Sequence, residues 1–76
     1  MRRVGEVVRV AQGLAIVRSP SGEHPDIGTP VVDRSLSNAG RVVDVFGPVE
    51  RPYLAVAPEE SPATLLGTVL YARNNQ

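Results

Sequence analysis

Pro20, Pro25, Pro30, Pro48, Pro52, Pro58 and Pro62 break this chain so often that few windows remain for three turns of helix. Each proline removes an intrahelical hydrogen bond and clashes with the preceding turn. Between them the apolar residues are mostly valine, whose branched side chain suits the pleated surface of a strand. The chain therefore reads as all-β. Short apolar runs separated by turn signals at a spacing of roughly 8–12 residues are the pattern of a sandwich or barrel. Strands are expected at Val4–Val10, Leu14–Ser19, Pro30–Asp33, Gly40–Val45, Tyr53–Ala57 and Gly67–Ala72. Loops fall at Pro20–Thr29 and over "PEESPATLL", the second with room for one helical turn. Six short strands point to a closed or partly closed barrel, because closure removes edges that would recruit other chains. An open sandwich is the alternative. The chain has 76 residues, enough for one small domain. Folding at this size buries only about 60% of the chain's surface. The domain is expected over residues 1–73, with 74–76 as a disordered polar tail.

The first hairpin has two readings. A two-residue loop at Gln12-Gly13 sets Arg9 opposite Ile16 and puts Arg9 and Arg18 on one face. A three-residue loop instead sets Glu6 opposite Arg18 as a cross-strand ion pair. Turn length decides register, and the residues alone leave both open.

All eight basic residues are arginine, balanced by eight acids. Zero net charge argues against a protein whose main task is gripping a phosphate backbone, since counterion release needs a basic excess. The charge is unevenly spread. Residues 1–18 hold Arg2, Arg3, Arg9 and Arg18 against Glu6 alone, and the remainder holds four arginines against seven acids. A basic patch from those four arginines is the one feature that could touch RNA.

Catalytic chemistry finds little to use. Cys and Lys are absent, and the single His24 lies in a proline-rich loop. His24 with Glu23 and Asp26 makes a poor metal site and is better read as a solvated loop. No serine has a nucleophile-elbow context. No P-loop, dinucleotide fingerprint or aromatic stacking platform appears. The Glu59-Glu60 pair reads as a solvated loop. Asp33 and Asp44 each end an apolar run, where an Asp ordinarily accepts backbone N–H bonds from a turn. These residues describe a binding module with no catalytic, metal or cofactor site. No apolar run approaches the ~18–20 residues of a membrane span and no signal-peptide pattern opens the chain. A soluble, cytoplasmic protein is expected.

The bridge from Phe46 to Tyr53, "FGPVERPY", is the most distinctive stretch. Pro48 and Pro52 fix their own φ and restrict Gly47 and Arg51. A connection this stiff loses little entropy on docking and is suited to presenting side chains. Strand alternation is expected to place Val42, Asp44 and Phe46 on one face and Val43 and Val45 on the other. Phe46 then either lids the barrel mouth against Tyr53 or projects outward as an interface anchor.

"GRVVDVFGPVERPYLAVAP" resembles the signature of the Gar/Naf family, the small β-barrel subunits of H/ACA ribonucleoproteins, in its short archaeal form. "VGEVVRVAQGLAIVRS" is similar to the family's opening hairpin, "GTPVVDRSLSNAG" to the approach to the signature, and "LLGTVLYA" to its last strand. The resemblance spans nearly the whole chain. It implies a six-stranded barrel of the translation-factor (reductase/isomerase/elongation-factor) type. It also implies docking on a dyskerin-type pseudouridine synthase, in a particle with guide RNA that isomerises uridines of ribosomal RNA. The family's barrel is non-catalytic, uses no cofactor, and influences substrate loading and product release. The implied docking edge is Val45, Phe46, Gly47, Pro48, Val49, Pro52 and Tyr53, shaped by Asp33 and Asp44. The Gly-Arg-rich tails of eukaryotic relatives are missing from the sequence, and its length fits the particle subunit better than the longer assembly-factor branch. The rival reading is a direct RNA-binding barrel using Arg2, Arg3, Arg9 and Arg18. A third is a translation-type barrel with another partner.

Overall fold

The computed structural model describes residues 2–72. The expected tail 74–76 and the two end residues of the expected domain, Met1 and Arg73, lie outside them. Six strands form in chain order: β1 Arg2–Ala11, β2 Leu14–Arg18, β3 Pro30–Val32, β4 Asn38–Phe46, β5 Tyr53–Pro58 and β6 Val69–Ala72. A single 3₁₀ turn, Pro62–Leu65, supplies the only helix among the described residues. All neighbours pair antiparallel, and the sheet closes into a barrel in the order β1-β2-β5-β4-β3-β6. Both the strand count and the closure agree with the sequence reading.

The core is made of Val4, Val7, Ala15, Val17, Val31, Ala39, Val42, Leu54, Val56, Leu70 and Ala72. It contains no aromatic ring. A narrow barrel is just wide enough to be filled by such aliphatic side chains, so the chain's few aromatics are left to the outer surface. Closure also brings backbones together. A Cβ on Gly40 (φ 153°) would run into the Ala57 carbonyl oxygen across the β4–β5 ladder. The first residue of the "GRVVDVFGP" stretch is thus glycine for steric reasons.

Bulges set which side chains face out. The β1–β2 turn has two residues, with Gln12 at φ 54° and Gly13 at φ 79°, the positive pair that a tight hairpin needs. Arg9 accordingly pairs with Ile16. One extra residue at Val8 then shifts the register, so that Glu6 comes to lie opposite Arg18. Both registers therefore occur in one hairpin with a two-residue loop, but the Arg18 guanidinium bonds the Tyr53 hydroxyl rather than forming the ion pair expected with Glu6. A second bulge at Val43 shifts β4 against β5 between Val42–Val56 and Asp44–Ala55. This overturns the expected face assignment. Val42 is fully buried and Val45 packs against the core, while Val43, Asp44 and Phe46 are exposed. Simple alternation fails because the extra residue exchanges the faces beyond it.

Candidate functional site

Beyond Phe46 the chain must reverse direction to form β5. Gly47 starts the reversal at φ 92°, and a Cβ there would sit 3.0 Å from Cδ2 of Tyr53. The Arg51 N–H bonds the Pro48 carbonyl at 3.2 Å and closes a turn with Val49 and Glu50 at its tip. Pro52 is buried, and its carbonyl accepts the Ser19 N–H at 3.0 Å. Arg51 Nε donates to the Ser19 carbonyl at 3.2 Å. Ser19 is itself fully buried, with its hydroxyl bonded to the Ser21 and Glu23 carbonyls at 2.6 and 3.2 Å. Gly22 then packs under Val49 and Glu50, where a Cβ would lie 3.0 Å from the Val49 carbonyl oxygen. The loop that carried no role in the sequence is therefore a brace for the elbow.

The elbow presents an aromatic row. Phe46 and Tyr53 are cross-strand partners, their rings stacked with centroids 5.6 Å apart and planes at 20°. Such a pair contributes about 0.5–1.5 kcal/mol beyond its buried area. Arg18 pairs with Tyr53 from the other side of β5; its guanidinium carbon sits 4.7 Å from the ring centroid and Nη1 donates to the Tyr53 hydroxyl at 2.7 Å. Glu6, Arg18, Tyr53 and Phe46 thus form one row across β1, β2, β5 and β4. Phe46 keeps 39% of its surface exposed and Val49 keeps 85%. The neighbouring row runs Arg9, Ile16, Ala55, Asp44. Ile16 and Ala55 there are buried, while the bulge residues Val8 and Val43 are exposed.

The structure gathers Asp44, Val45, Phe46, Gly47, Pro48, Val49, Pro52 and Tyr53 at one end of β4. Asp33 does not join them. It lies beyond the opposite end of this nine-residue strand, roughly 25 Å away at about 3.3 Å per residue. There its Oδ1 accepts the Ser35 N–H at 2.9 Å, the Ser35 hydroxyl at 2.8 Å and the Ser37 N–H at 3.0 Å. The Ser35 hydroxyl, then the Ser37 and Ser35 amides, hold its carboxyl below the usual range against a smaller opposing effect of burial. Asp33 borders a polar hollow of about 370 Å³ that also takes in Asn38, Glu60, Ser61 and Thr64.

The four N-terminal arginines separate as well. Arg2 and Arg3 are exposed where β1 pairs with β6, Arg9 is exposed near the hairpin tip, and only Arg18 reaches the elbow. Its part in the aromatic row was missed from sequence, because β2 and β5 are not consecutive strands. His24 is half-buried rather than solvated, its Nδ1 3.0 Å from the Pro25 carbonyl. Among the described residues no three His, Cys, Asp or Glu side chains gather as a metal site.

Residues 1–75 match the family model described as the Gar1/Naf1 RNA binding region. The chain belongs to that family. No curated protein matches it. The Gar1/Naf1 match takes in the whole barrel, so the elbow, its brace and the exposed arginines of β1 all lie inside the family region.

Proposed function

We propose that this chain is a non-catalytic subunit of an H/ACA guide ribonucleoprotein. In this reading it docks through the elbow on a dyskerin-type pseudouridine synthase and modulates substrate loading and release during ribosomal RNA pseudouridylation. Membership of the Gar1/Naf1 family supports the particle. The observation that carries docking is Phe46, stacked on Tyr53 yet 39% exposed, beside the 85% exposed Val49 on a connection held by Ser19 and two prolines. Apolar side chains held rigidly in solvent have little conformational entropy left to lose when a partner covers them. Mixing the chain with its cognate synthase on a sizing column tests this directly. Co-elution is expected, and Phe46→Ala should weaken it by a few kcal/mol, as for an interface anchor. Wild-type affinity in a Phe46→Ala chain with an unchanged melting temperature would refute the anchor.

The exposed Arg2, Arg3 and Arg9, with the family's description as an RNA-binding region, favour a second reading in which the barrel touches RNA directly. Guide RNA titrated onto the isolated chain at increasing salt separates the two. Direct binding should fall with a slope near −0.7 per phosphate contacted on a single strand, whereas the docking reading expects weak binding without the synthase.

A further inference from the structure

The closed barrel leaves short stretches of strand paired on one side only: Arg9–Ala11 of β1, which pair with β2 alone, and the C-terminal end of β4. β3 reaches along β4 only as far as Arg41, and the loop residues before it only as far as Val42, whose N–H and C=O bond Thr29 and Gly28 at 3.0 and 2.7 Å. Beyond it, residues Val43–Phe46 pair with β5 alone. The direction of each backbone group follows from the ladder. The Pro52 carbonyl bonds Ser19, so Pro52, Leu54 and Val56 turn their polar groups toward β2. Tyr53 and Ala55 turn theirs toward β4, in the alternation of antiparallel strands. Val45, opposite Leu54, must therefore point its N–H and C=O away from β5, toward the side of β4 that β3 does not reach. The hydrogen bonds agree: the Val45 N–H goes to Oδ1 of Asp44 at 2.8 Å, in an exposed bond. The loop is clamped at both ends of this edge, by Gly22 at Val49 and by Gly28 at Val42. Among the described residues no hydrogen bond joins its middle to Val43–Phe46.

An open strand edge is a template for another strand, and native proteins usually blunt it with charge. Asp44 does this here with its own carboxylate. We propose that this edge is a β-augmentation site: an extended segment of the docked protein partner pairs with Val45 and replaces the Asp44 carboxylate on its N–H. The choice of partner rests on the docking reading above; the edge itself does not. Charge selects the segment. Residues 20–29 and 43–50, which flank the edge, carry Glu23, Asp26, Asp44 and Glu50, and this acidic excess outweighs Arg41, whose Nη1 bonds the Gly28 carbonyl at 3.2 Å, and Arg51. The incoming strand should therefore be basic, with a Lys or Arg for the released Asp44 and an apolar side chain beside Phe46. Such backbone pairing is a recognised mode of peptide capture. The same charge disfavours a phosphate backbone at this edge.

Two measurements on the full chain test the proposal. The first is exchange of the Val45 amide, followed by NMR with and without the synthase catalytic subunit. Exchange should slow on the order of 100-fold in the complex, as an exposed amide becomes a ladder bond. The second uses a chemically synthesised chain with N-methyl-Val45, whose fold is checked by the protection of β5 amides. It should bind the synthase about fivefold to tenfold more weakly, the loss of one backbone hydrogen bond. A complex that forms with Val45 exchange unchanged and N-methyl affinity at the wild-type level overturns edge pairing but keeps docking. Absence of any complex overturns both. Protection of Val45 by guide RNA alone makes the occupant a nucleic acid and refutes the proposal.

Discussion

Asp33 and Asp44 look alike in sequence, each closing a Val-Val-Asp run, yet the two ends of β4 that they mark behave oppositely. At the Asp33 end one carboxylate oxygen takes three donors from Ser35 and Ser37, and the turn is satisfied from within. At the Asp44 end the carboxylate takes one strand-edge N–H, while Phe46 and Val49 stand in solvent. One end has finished its chemistry. The other is stiff but incomplete, the condition in which a surface gains most from a partner.

Matched substitutions at the two turn tips break that comparison most sharply. Val49→Asp places a charge at the most exposed apolar residue of the elbow and should weaken synthase binding more than tenfold, as for a charge buried in an interface core. Leu36→Asp, at the half-exposed tip of the Asp33 turn, should leave binding unchanged. Leu36 has φ 69°, a conformation Asp enters more easily than Leu, so its stability should not fall. Calorimetric titration of both chains decides it; equal losses would mean that the ends are not distinct. The next effect is on stiffness. Gly47→Ala must hold φ 92° and press its methyl on the Tyr53 ring, at a cost of about 1–2 kcal/mol in thermal unfolding. A neutral Gly47→Ala would show that the elbow can yield.

Much of this was legible in the residues. Proline spacing and valine runs delimit all six strands to within one or two residues, because each strand is a separate apolar run between breakers. The elbow stood out for its two prolines and its lone Phe. What stayed hidden depends on contacts between distant segments. The extra residue at Val43 is indistinguishable in sequence from ordinary alternation, yet it exchanges the inner and outer faces of β4. The hairpin has the two-residue loop of the first reading, and the bulge at Val8 brings Glu6 opposite Arg18 without the three-residue loop of the second. The brace of Ser19 against Pro52 and Arg51, and the pairing of Arg18 with Tyr53, join residues more than thirty positions apart. Consecutive valines are the one local signal that a bulge was available.

Arg18 sharpens the comparison from within the elbow. It stacks on Tyr53 and donates to its hydroxyl, but its Nε is buried without a partner. The gain of about 0.5–1 kcal/mol from a cation over a ring is thus partly offset by an unmet donor. Arg18→Met should cost no more than about 1 kcal/mol, and a cycle with Tyr53→Phe should show coupling of about 0.5–1 kcal/mol. Additive changes in urea unfolding would mean that the two side chains merely lie together.

The smallest effect belongs to the satisfied end and is read through pH. Asp33 titrates below its ordinary range because the Ser35 hydroxyl and the Ser37 and Ser35 amides favour the carboxylate. A group whose folded pKa is depressed adds stability above its unfolded value, about 3.9 for Asp. That stability disappears as pH falls through the folded pKa. Asp33→Asn should therefore melt below the wild type at neutral pH, and the gap should close as both chains are taken below pH ~4. Affinity for the synthase at neutral pH should be the same in both, since the turn lies at the opposite end of β4 from the elbow. A melting gap that persists in acid would assign the loss to geometry rather than charge. A fall in affinity would show instead that the two ends of the barrel are coupled through β4.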